Sequence, residues 1–121
     1  MLDFFQMMKK TVIRLKKRRD FVHLNNNGQK VITKGFVLLA LSRKENNPFS
    51  DMIRVGFTTT KRLGNAVVRN RIRRRLRAVA AHVIPAFGKE GYDYILIGRL
   101  TTNACSFKRL LSDLETTLGQ V

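Results

Sequence analysis

Carboxylates are scarce in this 121-residue sequence, which holds 8 Asp and Glu against 24 Lys and Arg and carries a formal net charge of +16. The acids are also scattered. Asp20, Asp51 and Asp93 stand far apart, and Asp113 and Glu115 lie two residues apart on a predicted helix, where they cannot face each other. Paired-carboxylate acid–base chemistry therefore has no residues to run on. Cysteine is nearly absent: Cys105 is alone, which excludes an internal disulfide and a multi-cysteine zinc site and fits a reducing compartment. It reads as a small buried residue near the head of a helix rather than an activated thiol. The 2 histidines, His23 and His82, have no histidine or cysteine nearby and read as surface or helix-flank residues. Gly64 sits in KRLGNAVV, which lacks the phosphate-loop pattern. Long apolar runs are missing as well. The opening MLDFFQMM is too short to span a bilayer, and Asp3 precedes any basic residue, unlike a secretory signal. A soluble, cytoplasmic protein with no membrane partner is expected. Repeats and low-complexity tracts are not visible.

What the chain has in quantity is basic charge, unevenly placed. Between Met52 and Lys89 there are ten basic residues and no acid. The densest part, KRLGNAVVRNRIRRRLR from Lys61 to Arg77, also carries a helical rhythm. Val68, Ile72, Leu76, Val79, Ala80 and Val83 recur at helix spacing and fill an arc of roughly 120° at about 100° per residue. Asn70, Arg73, Arg74 and Arg77 fall on the far side of that cylinder, with Arg71 and Arg75 flanking the stripe. One face can pack while the other presents guanidinium groups. Such groups repel one another unless a polyanion lies opposite, and arginine favours bidentate phosphate contacts and stacking on bases. A solvated basic helix is the bland reading; nucleic acid is the better one. Phosphate neutralisation would make the affinity fall steeply with salt.

The apolar fraction of 44% and the length suit one domain with a modest core, spanning residues 1–121 with 1–10 poorly specified and expected to fray. A short helix is expected from Arg18 to Asn25, then a turn at Asn25-Asn26-Asn27-Gly28. Gln29 to Thr33 and Gly35 to Ser42 read as strands, the second a continuous apolar run suited to a strand covered by helices. Lys44 to Ser50, with Asn46-Asn47-Pro48, reads as a loop. Met52 to Thr60 reads as a third strand, and sequence order favours an antiparallel meander of the three. Gly64-Asn65 is a turn and N-cap for the arginine helix, which is expected to stop at Pro85. Tyr92 to Gly98 reads as a fourth strand and Ala104 to Leu118 as a last helix, with Phe107, Leu110, Leu111, Leu114 and Leu118 on one face.

GNAVVRNRIRRRLR resembles the signature of the protein subunit of bacterial ribonuclease P. The matching positions are Lys61, Gly64, Asn65, Ala66, Val67, Arg69, Asn70, Arg73, Arg74, Leu76 and Arg77. Arg14-Leu15-Lys16-Lys17 followed by Asp20-Phe21 resembles the start of the same family. The resemblance implies an α+β fold in the order α-β-β-β-α-β-α, a two-layer sandwich with a four-stranded sheet packed by helices, similar to the second domain of ribosomal protein S5. It implies that the chain assists a catalytic RNA, which holds the Mg²⁺ ions and removes the 5′ leader of precursor tRNA endonucleolytically. The polypeptide itself would bind no metal or cofactor and supply no attacking group.

By the same resemblance, Lys61, Arg62, Arg69, Asn70, Arg73, Arg74 and Arg77 contact the catalytic RNA. Phe21, Phe36, Val37, Phe57 and Thr58 would line a cleft for the single-stranded leader, with Arg14, Lys16 and Lys17 extending its basic track. Single strands bind by stacking bases on aromatics above a positive groove. Phe21 reads equally as plain core. Asn25 and Leu39 stand where the family frequently has further aromatics, which removes stacking surface. Three rivals remain at this stage. A structural rRNA-binding, ribosome-associated protein suits the same fold and charge. A DNA-binding protein would need a positioning helix before the arginine helix, where a strand stands instead, so no DNA partner is expected. A self-sufficient nuclease lacks its acid cluster.

Overall fold

The computed structural model describes residues 10–43 and 51–121. The expected fraying at 1–10 and the loop at Lys44 to Ser50 fall almost entirely outside those residues. In chain order the elements are β1 (Val12–Arg14), α1 (Arg18–Asn27), β2 (Gln29–Ile32), β3 (Phe36–Ser42), β4 (Ile53–Thr58), a 3-10 turn (Lys61–Leu63), α2 (Ala66–Phe87), β5 (Tyr92–Gly98), a second 3-10 turn (Thr102–Ala104) and α3 (Phe107–Leu118). The α+β class expected from the sequence holds, with a fifth strand, β1, added at one edge.

The sheet order is β1-β4-β5-β3-β2, mixed in direction. β4 runs parallel to both β1 and β5, while β3 is antiparallel to β5 and to β2. The expected three-strand meander is therefore wrong: β4 does not pair with β3. Its IRVGFT sequence is covered on both faces, which suits a strand flanked on both sides. The order β4, α2, β5 is a βαβ unit, whose helical connection places its two strands parallel.

Alternation along the strands sorts the core into two clusters. Phe36, Leu38, Ala40, Ile53, Val55, Tyr94 and Leu96 point to one face, under Ile72, Leu76, Val79, Ala80, Val83 and Ile84 of α2 and Leu110, Leu114 and Leu118 of α3. Leu39 and Ile95 point to the other face and bury Leu15 and Leu24, with Phe21 packed alongside. Helices thus lie on both faces, α1 being the one helix on its side among the described residues. Burying each such aliphatic side chain is worth about 1.5–3 kcal/mol, so the apolar stripe of α2 is its main anchor. Gly56 makes room for α1: a Cβ there would stand 2.6 Å from the Phe21 ring.

Helix α2 runs past its expected stop. Pro85 lies inside its last turn, and the helix continues to Phe87. Proline is costly in a helix because it lacks an N–H and crowds the preceding turn. Here the end is held from outside: Lys10 donates its backbone N–H to the Pro85 carbonyl (2.9 Å) and its Nζ to the Ala86 carbonyl (3.2 Å). Helix α3 begins later than expected, with Ser106 as N-cap accepting from the Arg109 N–H at 3.1 Å. Phe107 leaves the expected apolar face. It is 37% exposed and meets His82 edge-on, ring centroids 5.8 Å apart.

An ion network closes one end of the sheet. Asp93, only 4% exposed, accepts from Arg43 and from Arg54 Nε (2.8 Å) and Nη2 (2.6 Å). Arg54 Nη1 also reaches Asp20 on α1 at 3.4 Å. The hydrogen bond to Asp93 raises the Arg54 pKa further, against the lowering effect of burial. Arg43 Nη2 donates to the Met52 carbonyl, so the network ties β3, β4, β5 and α1 together.

Candidate nucleic-acid interface

The interface is built outward from α2. Asn65 is its N-cap, as expected, with the side-chain oxygen accepting from the Val68 N–H at 3.0 Å. Gly64 turns the chain into that cap at φ 131°, a region that side-chain-bearing residues rarely adopt. The first turn holds no acid, so the positive end of the helix dipole stands beside exposed Lys61 and Arg62 with nothing to neutralise it.

The arginines of α2 separate by what they touch. Arg75 donates to the carbonyls of Thr102 (2.6 Å) and Cys105 (2.5 Å), holding the approach to α3. Arg73 reaches Asn70 Oδ1 at 3.2 Å and Thr59 Oγ1 at 2.6 Å, so it is braced in place while remaining half-exposed. Arg69 is half-buried, and its Nε has no hydrogen-bond partner among the described residues. Arg71, Arg74 and Arg77 stand in solvent, as does Asn70. Among the described residues the ion pairs are Arg43–Asp93, Arg54–Asp93, Arg54–Asp20 and Arg109–Asp113; none involves an α2 arginine. The basic face is positioned by the core and, among the described residues, has no carboxylate paired with it.

That field extends to the sheet edge. The Arg77 guanidinium lies 6.0 Å from the centroid of the Phe57 ring. Partial desolvation, then the nearby charges of Arg14 and Arg73, lower the Arg77 pKa from its ordinary value. Three guanidinium groups therefore share one neighbourhood, with no ion-paired carboxylate there among the described residues.

The residues expected to line a single cleft divide between surfaces. Phe21, Val37 and Thr58 are half-buried on the α1 side of the sheet, whereas Phe57 points to the α2 side. Phe36 lies inside the core under α2 and α3 at 0% exposure and cannot line a cleft; strand alternation puts it on the opposite side from Val37. Arg14, Lys16 and Lys17 are exposed. Phe21 and Phe57 still line one common depression at the sheet edge. Strand β1 is only 3 residues long, and beyond it a depression of about 330 Å³ is lined by Arg14, Leu15, Lys16, Phe21 and Phe57. A second cleft, of about 390 Å³, opens on the α2 side and shares Arg14 and Phe57 with the first.

Sequence reasoning left Thr59 and Arg75 out of the site. Arg75 flanks the apolar stripe, and that flanking position was the only signal that it could turn inward. Thr59 meets Arg73 through chain reversal, which no spacing rule encodes. His23 and His82 are exposed, as expected, and Cys105 is buried. Among the described residues, no three His, Cys, Asp or Glu side chains gather closely enough to hold a metal, and no helix is long and apolar enough to cross a membrane.

A rigid basic helix, an aromatic-lined sheet edge and no acid–base pair on that face describe a protein that binds and positions a phosphate-rich polymer. The class is that of RNA-binding subunits of the α+β type. A family model described as Ribonuclease P matches residues 8–121. The ribonuclease P protein component of Gluconacetobacter diazotrophicus is 47% identical over 105 residues, covering 87% of each chain. That of Paramagnetospirillum magneticum is 43% identical over 108 residues, 89% of this chain and 81% of its own. The solved ribonuclease P protein of Staphylococcus aureus superposes with a TM-score of 0.67 at 28% identity, over 88% of this chain and 92% of the other. That of Thermotoga maritima, at 23% identity and a TM-score of 0.73, shares the fold over 89% and 96% of the two chains. The chain belongs to the ribonuclease P protein family, as a protein component of that ribonucleoprotein endoribonuclease.

Proposed function

We propose that the chain binds the catalytic RNA of ribonuclease P through the basic side of α2 and holds the 5′ leader of precursor tRNA along the aromatic sheet edge. Lys61, Arg62, Arg69, Asn70, Arg73, Arg74 and Arg77 take phosphates of the catalytic RNA. The observation that carries this is the α2 face: braced by the core, without an ion-paired carboxylate among the described residues, and rich in the planar donors that fit phosphate. Phe21, Phe57 and Thr58, with Arg14, Lys16 and Lys17, take the single-stranded leader, and Val37 lies further in, on the α1 face of the sheet in register with Thr58 through Ile97. Mg²⁺ belongs to the RNA, which does the cutting, and the protein contributes binding energy. Family membership sets aside the ribosomal-protein alternative.

Cleavage of precursor tRNA by the cognate RNA, at low salt and with and without this protein, tests the reading. Strong stimulation at low Mg²⁺ is expected. Cleavage by the polypeptide alone, or no stimulation by it, overturns the proposal.

A further inference from the structure

The cleft on the α2 side of the sheet has a shape and chemistry of its own. It is lined by Val12 and Phe57 of the sheet, by Ala80 and Ala81 of α2, and by Arg14 and Arg77. Two alanines in succession leave the slot open where a longer side chain would close it. The Phe57 ring is only half-buried, and a guanidinium already lies against its surroundings at 6.0 Å from the ring centroid. An apolar slot beside an aromatic ring, lined by two cations and by no carboxylate among the described residues, fits a flat heteroaromatic group that carries phosphate. A volume of about 390 Å³ accommodates one nucleotide but not a folded helix.

A second observation makes the occupant part of a chain. The neighbouring depression shares Arg14 and Phe57 and leads over the sheet edge to Lys16 and Phe21. The edge is passable because β1 stops at Arg14, so β4 extends past it to Thr58 with no strand partner on that side among the described residues. We infer that the cleft between β1, β4 and α2 is a base-binding pocket in which one nucleotide of single-stranded RNA stacks on Phe57 beneath Arg77, the strand crossing the sheet edge past Arg14 toward Phe21. The inference rests on the proposed leader-binding role and adds a pocket on the side of the sheet opposite α1. It also supplies stacking surface that Asn25 and Leu39 do not.

The test titrates the full chain into short single-stranded RNAs, each carrying one 2-aminopurine at a successive position. Stacking on Phe57 quenches the analogue at one position. Phe57→Leu keeps an apolar side chain against the core and removes the ring; Ala81→Leu keeps the ring and fills the slot from the exposed side of α2. Each variant, folded by circular dichroism, is expected to lose that quenching and to bind the RNA about tenfold more weakly. Quenching and affinity unchanged in both folded variants overturn the pocket. Adenosine monophosphate binding as tightly as the strand overturns the polymer path. Either result with protein-stimulated precursor cleavage intact removes only the pocket, whereas loss of stimulation in the wild-type protein removes the parent reading.

Discussion

Arg54 and Arg74 carry the same side chain and meet opposite fates. Arg54, with Arg43, is drawn onto Asp93 inside the fold, while Arg74 and its neighbours on α2 form no ion pair among the described residues. The difference is one of supply. With 8 acids for 24 basic residues, most cations of this chain cannot be paired internally; among the described residues three of the four ion pairs sit where β3, β4, β5 and α1 converge, and the fourth, Arg109–Asp113, runs along α3. A buried carboxylate gripped by two guanidinium groups gains little over an apolar core, but losing one partner is expensive because the others are left buried and charged. An exposed guanidinium beside its own kind contributes little to folding and is available to a polyanion. Arg75 shows that sequence neighbourhood does not decide which fate applies. It adjoins Arg74 yet donates both Nη groups to backbone carbonyls ahead of α3.

Mutations can separate the two classes, beginning with the largest effect. Asp93→Ala leaves Arg43 and Arg54 without their shared counter-charge and is expected to destabilise the fold by about 3–5 kcal/mol, read from the urea midpoint. An unchanged midpoint would remove the network from the account of stability. Arg75→Ala forfeits two charge-assisted hydrogen bonds and is expected to cost about 1.5–3 kcal/mol without altering the salt dependence of RNA binding. A reduced salt slope in this variant would place Arg75 on the RNA instead. Arg74→Ala is expected to change stability by no more than about 0.5 kcal/mol, since the residue touches nothing the fold depends on. A large loss of stability there would erase the distinction.

How far each class can be read from the sequence follows from its physics. The α2 face was legible because a helix has a fixed period: Ile72, Leu76, Val79, Ala80 and Val83 are buried and Asn70, Arg74 and Arg77 are exposed, as the spacing predicts, while Val68 at the end of the stripe is half-buried and Arg73 is drawn half under by Thr59. The Asn65 cap was legible because capping is local. Sheet order was not, since pairing β4 with β1 and β5 is a non-local choice that adjacency in sequence misrepresents. β1 escaped notice because 3 residues carry no period. The cleft suffered most from this. A continuous apolar run such as FVLLAL hides which residues share a face, so Phe36 was grouped with Val37 when only one of them lies on the α1 side. Pro85 misled for a different reason: the carbonyls at the end of α2 are held by Lys10, distant in sequence.

The central claim is that the unpaired guanidinium groups of α2 meet phosphates of a folded RNA. Its most direct test is the slope of log affinity against log salt for the catalytic RNA, compared between wild type and the double variant Arg69→Ala, Arg74→Ala. A slope shallower by about two units, one for each lost phosphate contact, with the fold intact, is predicted. An unchanged slope and affinity in a folded double variant would contradict it.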